Sequence, residues 1–413
     1  MVENPVTTDM VGLPTAGELR RRGLELGLAA VGITSPEVLE PARSAITSRK
    51  RDGLNGTMQF TYRNPIRSSE PRRRMPSANA LVVAALRYGS EPEHQDVEAQ
   101  REPTGPRWAG RIARYVWSDH YGRLAQLLEE LATPLVEAGF KAQVIIDSNH
   151  LVDRNVAWRA GLGWYGKNSN LLLPGAGSWY VLGSILTDAP LDHADVPMVD
   201  GCGPCSRCID ECPTRAIIAP GVVDARRCIA WLVQAAEPIP IEFRVAVGDR
   251  IYGCDDCQEV CPPNLDPSAA VEAHELRADI GWILTADNDA IVERHGAWYV
   301  ANRDVDVIRR SALVVLGNTA EPEWGIDGVT ELLRRHLASE NSLLRNHAVW
   351  ATRRLGLDPT VRGNGIGVEI ALPQCCAGSD RSACLDPALH DELLAPVEPR
   401  FSSDQWAEGV AVR

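Results

Sequence analysis

Eight of the chain's eleven cysteines fall between residues 202 and 261, in two interlocking runs. The first is Cys202-x2-Cys205-x2-Cys208-x3-Cys212-Pro213. The second is Cys228, then Cys254-x2-Cys257-x3-Cys261-Pro262. Thiolates at this spacing hold [4Fe–4S] cubes: three sulfurs from a tight loop meet three iron corners, and the fourth cysteine reaches across to the other cube. By that logic Cys202, Cys205, Cys208 and Cys261 hold one cube, and Cys212, Cys228, Cys254 and Cys257 hold the other. Pro213 and Pro262 suit helix starts, where a missing N–H costs nothing, so a helix is expected after Cys212. Paired structural zinc sites also use C-x2-C units. A third cysteine at x2 and a fourth at x3-Pro favour iron–sulfur. Two such cubes would pass single electrons.

Outside the cysteines, Asp147 is the residue most suited to acid–base work. It follows a short apolar strand, where a loop can present it to a pocket, and desolvation there would raise its pKa and let it donate a proton. Asp-Ser before a helix is as often a cap, and both readings stand. Gly161-x-Gly163-x-x-Gly166 imitates a dinucleotide fingerprint, but it follows a helix rather than a strand and lacks the required context. No Walker loop and no G-x-S-x-G occur.

The elements that must carry these residues read as α+β. Amphipathic helices are expected over 15–31, 119–138 and 151–161, and strands over 80–86, 144–146 and 178–187. Residues 88–110 look like a loop, and 161–168 form a glycine-rich one. Helices over 305–316, 327–338 and 342–356 resemble paired HEAT-type units. The expected domains are therefore 1–195 (α+β), 196–270 (ferredoxin-like double-cluster module), 271–360 (helical, HEAT-like) and 361–413 (an irregular tail). Cys375, Cys376 and Cys384 in that tail lack cluster spacing and read as free thiols ahead of an incidental metal site.

Composition sets outer bounds. Apolar content of 45% and charged content of 23% are ordinary for a globular protein. The longest apolar stretch, Leu81 to Leu86, is too short to span a membrane. Met1 to Pro14 show no basic start and no apolar run, so no secretory leader is expected. Reduced thiols make the cytoplasm the natural compartment. A net charge of −13 argues against nonspecific nucleic-acid binding. It leaves room for local basic patches at Arg72-Arg73-Arg74 and Arg334-Arg335, for which solvated arginines are the plainer account.

Several segments, in order, resemble one family. They are Ile112-Ala-Arg-Tyr-Val-Trp117, Ile146-Asp147-Ser148, Arg159-Ala-Gly-Leu-Gly-Trp-Tyr-Gly-Lys-Asn168, Cys205-Ser-Arg-Cys-Ile-Asp-Glu-Cys-Pro-Thr-Arg-Ala216 and Gly248-Asp-Arg-Ile-Tyr-Gly-Cys-Asp-Asp-Cys-Gln-Glu-Val-Cys-Pro262. Together they resemble the epoxyqueuosine reductases, over residues 15 to 355. The resemblance implies a cobalamin held base-off in the front domain beside the nearer cube. It implies electrons delivered through both clusters from an external low-potential donor, and reduction of the epoxide of epoxyqueuosine in tRNA to an alkene. Asp147 matches the family's proton donor. Cofactor contacts carried over by position fall at Arg67, Ala113, Asp147, Leu171, Leu182, Cys254 and Asp255, with Lys167 and Gln234 among the pocket residues.

The chain departs from the family near the expected substrate pocket. Asp147-Ser148-Asn149-His150 replaces an Asp-Ser/Thr-Ala/Gly-Pro run, and Trp117-Ser-Asp-His-Tyr-Gly122 replaces Trp-Gly-x-Asp-Tyr-His. His150 could carry a second proton or bond substrate; a surface histidine is the plainer account. The entry to the C-terminal helices, Asn302-Arg303-Asp304-Val305, is acidic where a tRNA-facing arginine run is expected. A related cobalamin and iron–sulfur reductase with another substrate, or a pure electron-transfer protein, are the alternatives.

Overall fold

The computed structural model describes residues 12–88, 108–193, 196–265, 277–321, 326–357 and 387–401. Helix α1 (Ala16–Glu25) opens it. Thr15 Oγ1 accepts from the Glu18 N–H at 3.2 Å, and the Glu18 carboxylate accepts from the Thr15 N–H at 2.8 Å. This reciprocal cap satisfies two N–H groups that the helix cannot. The helix expected over 15–31 ends early. Gly27 adopts φ 93°, a left-handed turn that favours glycine, and the chain enters strand β1 (Ala30–Thr34).

Helix α2 (Glu40–Arg51), strands β2 (Ala80–Arg87) and β3 (Ala109–Ile112), helix α3 (His120–Glu137), strand β4 (Ala142–Ile146), helix α4 (Asp153–Arg159) and strand β5 (Tyr180–Thr187) follow. Four strands form an antiparallel sheet in the order β1-β2-β5-β4. Alternate residues of β2 serve two cores. Val82, Ala84 and Leu86 pack with Leu124, Leu128, Leu131 and Leu135 of α3. Leu81, Val83 and Ala85 pack with Val156 and Ala157 of α4. A strand covered on both faces reads as one unbroken apolar run, as 80–86 does. Each buried leucine of α3 contributes about 1.5–3 kcal/mol, so packing holds α3 against the sheet.

A second sheet knits the chain together. Strands β6 (Arg250–Tyr252) and β7 (Arg277–Asp279) flank β3, parallel and antiparallel respectively. One strand each from the front segment, the cysteine segment and the segment beyond it therefore share a sheet. Their inner residues join the core of α5 (Val305–Thr319), α6 (Ile326–Leu337) and α7 (Ser342–Arg354). Part of the stretch expected to be a loop over 88–110 is thus β3; residues 89–107 lie outside the described residues.

The tail expected to be irregular contains helix α8 (Pro387–Leu394). It docks through Glu392, which accepts from Arg244 Nη1 at 2.7 Å; the two side chains are 7% and 1% exposed. Cys375, Cys376 and Cys384 lie outside the described residues. Among the described residues no helix is long and apolar enough to cross a membrane.

Candidate functional site

The cysteine segment is built from short turns. Asp256–Glu259 form one helical turn after Cys254, and Cys228 starts another at Ile229–Leu232. Pro262 opens a 3-10 turn, Pro262–Asn264. The helix expected after Cys212 is absent. The Ala216 N–H donates to Cys212 Sγ at 3.2 Å, Arg215 takes φ 51°, and the chain runs into a hairpin of Ile217–Ala219 with Val222–Val223. The amide needed to continue a helix is turned back onto the sulfur.

The eight thiols fall into two groups. Cys202, Cys205, Cys208 and Cys261 line one open pocket, together with Gly166, Lys167, Asn168 and Pro262. In the other group Cys228 interacts electrostatically with Cys212, Cys254 with Cys228, and Cys257 with Cys254 and Cys228. Cys257 also interacts with Cys208, which brings the two groups side by side. Among the described residues no three His, Cys, Asp or Glu side chains converge on a point one metal ion could occupy. Sulfurs set around a void suit a cube rather than a single ion. Burial pushes the Cys228, Cys254 and Cys257 thiols up and, ahead of its cysteine neighbours, pushes Cys261 to about 11. Loading a cluster therefore expels protons.

The glycine-rich loop clamps this module. A Cβ at Gly163 would collide with the Leu172 carbonyl, so glycine permits the hairpin of Trp164–Tyr165 with Leu171–Leu172. The hairpin delivers Lys167, whose Nζ donates to the Gly203 and Cys205 carbonyls, each at 2.7 Å. Asn168 Nδ2 donates to the Cys257 carbonyl at 3.0 Å. One loop thus grips both cysteine groups.

Asp147 ends β4, one residue past the pairing of Ile146 with Gly183 on β5. It is not a helix cap: α4 begins at Asp153, with Val152 before it and no side-chain cap. Its φ of 41° is strained for a non-glycine residue, by about 1–3 kcal/mol. Asp147 is exposed, yet desolvation holds its carboxyl above the ordinary value. A group that is both accessible and surrounded by protein stands in a cleft. Tyr121, Asp153 and Tyr252 all feel its charge. The short helix Pro65–Ser69, which carries Arg67, is tied to the same loop by Ser68 Oγ donating to the Asn149 carbonyl at 2.7 Å. His150 is half-buried. Burial first, then the charges of Arg74 and Arg67, lower its pKa and keep its ring neutral.

A second cavity, of about 290 Å³, is lined by Ala113, Arg114, Trp117, Cys254, Asp255 and Glu259 among others. Asp255 accepts from the Arg114 N–H at 2.7 Å, and burial raises it to about 6 despite that bond. Gln234 Nε2 donates to the Tyr115 hydroxyl at 3.2 Å, and the Tyr115 and Tyr252 rings stand 6.3 Å apart. The structure thus gathers Ala113, Cys254 and Asp255 around one cavity, and ties the short helix of Arg67 to the loop that carries Asp147. Lys167 lines the first cysteine cavity instead. Leu171 and Leu182 pack in the core shared with α4.

Sequence reading missed the tyrosines. Tyr115 and Tyr121 lie six residues apart, Tyr88 and Tyr252 lie far from them and from each other, and no spacing marks the four as a set. Electrostatics ties them together: Tyr121 reaches Asp147 and Tyr252, and Tyr115 and Tyr88 reach Tyr121 and Asp255. Tyr115, Tyr121 and Tyr252 each lay in a segment already noted, though nothing in those segments joined them; Tyr88 lay in none of the segments that carry the family resemblance.

Comparison with known proteins turns this geometry into a family. Residues 201–264 match the 4Fe-4S double cluster binding domain, a span that contains all eight cysteines. The epoxyqueuosine reductase of Vibrio cholerae serotype O1 is 33% identical over 351 residues, 81% of this chain and 90% of that protein. That of Escherichia coli K12 is 32% identical over 383 residues, 87% and 93%. The chain belongs to the epoxyqueuosine reductase family. A solved epoxyqueuosine reductase from Bacillus subtilis, with an aspartate catalytic loop swung out of its active site, superposes with a TM-score of 0.73 at 27% identity. An epoxyqueuosine reductase solved with an epoxyqueuosine-modified stem loop of tyrosine tRNA gives 0.72 at 26%. Both alignments cover 92% of this chain and 98% of the other. This chain shares their mixed helix-and-sheet fold and carries the family's double-cluster module.

Proposed function

We propose that this chain reduces the epoxide of epoxyqueuosine in tRNA to the alkene of queuosine. Membership of the family supports the reaction class. The observation that carries it here is Asp147: a strained, accessible, partly desolvated carboxyl whose charge reaches Tyr121 and Tyr252. Opening the epoxide to an alkene takes two electrons and two protons and releases the oxygen as water. The electrons come from an external low-potential donor.

The residues fit two [4Fe–4S] clusters, held by Cys202, Cys205, Cys208 and Cys261 and by Cys212, Cys228, Cys254 and Cys257. They also fit a cobalamin. Arg67 Nε and His120 Nε2 are buried in this half of the molecule without a hydrogen-bond partner, and such atoms want a ligand. Ala113, Asp255 and Gln234 would border the cofactor, with Arg67 on the Asp147 side. A bound cobalamin supplies a strongly reducing cobalt centre. The protein does the rest. Lys167 and Asn168 hold the cysteine loops together. The tyrosines exclude water from the cleft. Asp147, whose pKa desolvation raises, donates to the departing oxygen.

In this reading residues 1–195 bind cofactor and substrate, 196–270 carry electrons, and the helices of 271–360 form a HEAT-like support for tRNA. Helices α5 and α7 pack against each other, and α6 packs on α7, which supports such pairing. A tRNA substrate and reduced thiols support a cytoplasmic location. The test is to incubate the reduced, cofactor-loaded protein with tRNA bearing epoxyqueuosine and to analyse its nucleosides. Queuosine is expected. Its absence with clusters reduced and cobalamin bound overturns the substrate and favours a related reductase.

A further inference from the structure

The proposed reaction consumes two protons, and the cleft holds two carboxyl groups. Asp147 is accessible, whereas Asp153, at the first position of α4, is half-buried. Asp153 Oδ1 is buried and has no hydrogen-bond partner. A bare carboxylate oxygen out of water is strongly disfavoured, and a protonated carboxyl far less so. Burial first, then the charge of Asp147, pushes Asp153 well above the ordinary carboxyl range, with Arg154 opposing. The charged and titratable groups facing it are Asp147, Arg154, Tyr121 and Tyr165. Tyr121 feels both carboxyls, and burial keeps its hydroxyl protonated.

We propose that Asp153 stores the second proton of the reaction and reloads Asp147 after its first transfer. This rests on the epoxide-reducing reading above. Asp147 gives its proton to the epoxide oxygen and becomes a carboxylate. Asp153 passes its proton to Asp147, directly or through the Tyr121 hydroxyl. The new Asp153 carboxylate is steadied by the charge of Arg154. Reloaded Asp147 delivers the second proton, the oxygen leaves as water, and solvent reprotonates both Asp147 and Asp153. The two electrons are those of the external donor. Asp153 touches no reacting atom; it acts through Asp147.

The experiment has a spectroscopic arm and a kinetic arm. Infrared spectroscopy of the wild-type protein at neutral pH should show the carbonyl stretch of a protonated, buried carboxyl. Asp153→Asn should remove one component of that band, distinct from the component that Asp147→Asn removes. No such band in the wild type, or a band unchanged in Asp153→Asn, overturns the proposal whatever the substrate proves to be. In turnover with epoxyqueuosine tRNA, Asp153→Asn should be about 10- to 100-fold slower at unchanged iron and cobalamin content. Its activity should fall away at lower pH than in the wild type, because Asp147 is no longer reloaded. Asp153→Glu should restore most of the rate. An unchanged pH profile in Asp153→Asn also overturns it. Should Asp153→Asn fail to fold, the wild-type band and the Asp153→Glu rate still decide. A wild-type protein that shows the band but never reduces the epoxide contradicts the substrate reading instead.

Discussion

The two cysteine groups differ in depth, and the difference orders the electron path. All eight residues keep some surface in solvent, so the contrast lies at the sulfurs. In the group with Cys228, Cys254 and Cys257, burial raises Cys257 well above the ordinary thiol range, whereas it lifts Cys261 of the other group to about 11. Cys257 also feels the charge of Asp255. The group with Cys202, Cys205, Cys208 and Cys261 lines an open cavity under Lys167. An outer cube suits electron entry, and an inner one, in a drier setting that disfavours added charge, suits delivery at low potential.

The sharpest way to break that contrast is to cut each group separately. Cys257→Ser should lower iron by about half and abolish turnover with any reductant. Cys205→Ser should lose turnover with a protein donor yet keep a residue of it with a small, strong chemical reductant. Equal behaviour of the two variants in a nucleoside assay would erase the distinction between entry and delivery.

Next in size is Asp147→Asn, expected to lower turnover by about 10²–10⁴-fold while iron content and cobalamin binding stay at wild-type levels. The pH dependence follows in sign. Asp147 must carry its proton, and desolvation raises its pKa, so turnover persists above the ordinary carboxyl range and falls as pH rises through the raised value. A rate that increases with pH across that window would remove Asp147 from the role of acid.

Lys167→Met should have the smallest effect. It removes two hydrogen bonds from an ammonium group to the outer loop, worth roughly 1.5–3 kcal/mol each before solvent screening at this partly exposed site. The outer cube should be lost faster in air while the inner cube's electron paramagnetic resonance signal is unchanged. Equal loss of both signals would mean that the clamp acts on the whole module.

What the sequence made legible is local. Cys202 to Cys261 could be grouped from spacing alone, because a cube's corners dictate short loops. Asp147 could be singled out because an apolar strand ends beside it. The run over 80–86 declared itself because both its faces are covered. What stayed hidden depends on distant partners. Strand β3 forms because Tyr252 and Arg277 arrive beside Arg111 and Ile112 from more than a hundred residues away. Strand β1 hid inside a helical pattern that only Gly27 interrupts. The turn at Arg215 overrode the helix that Pro213 suggested. Helix α8 is held by the pairing of Glu392 with Arg244, which no periodicity reveals.

The most direct test is a metal count on one anaerobically purified sample from cells supplied with cobalamin. About eight irons and one cobalt per chain are expected for two cubes beside one corrinoid. Zinc in place of iron, or full iron with no cobalt taken up, would contradict the account.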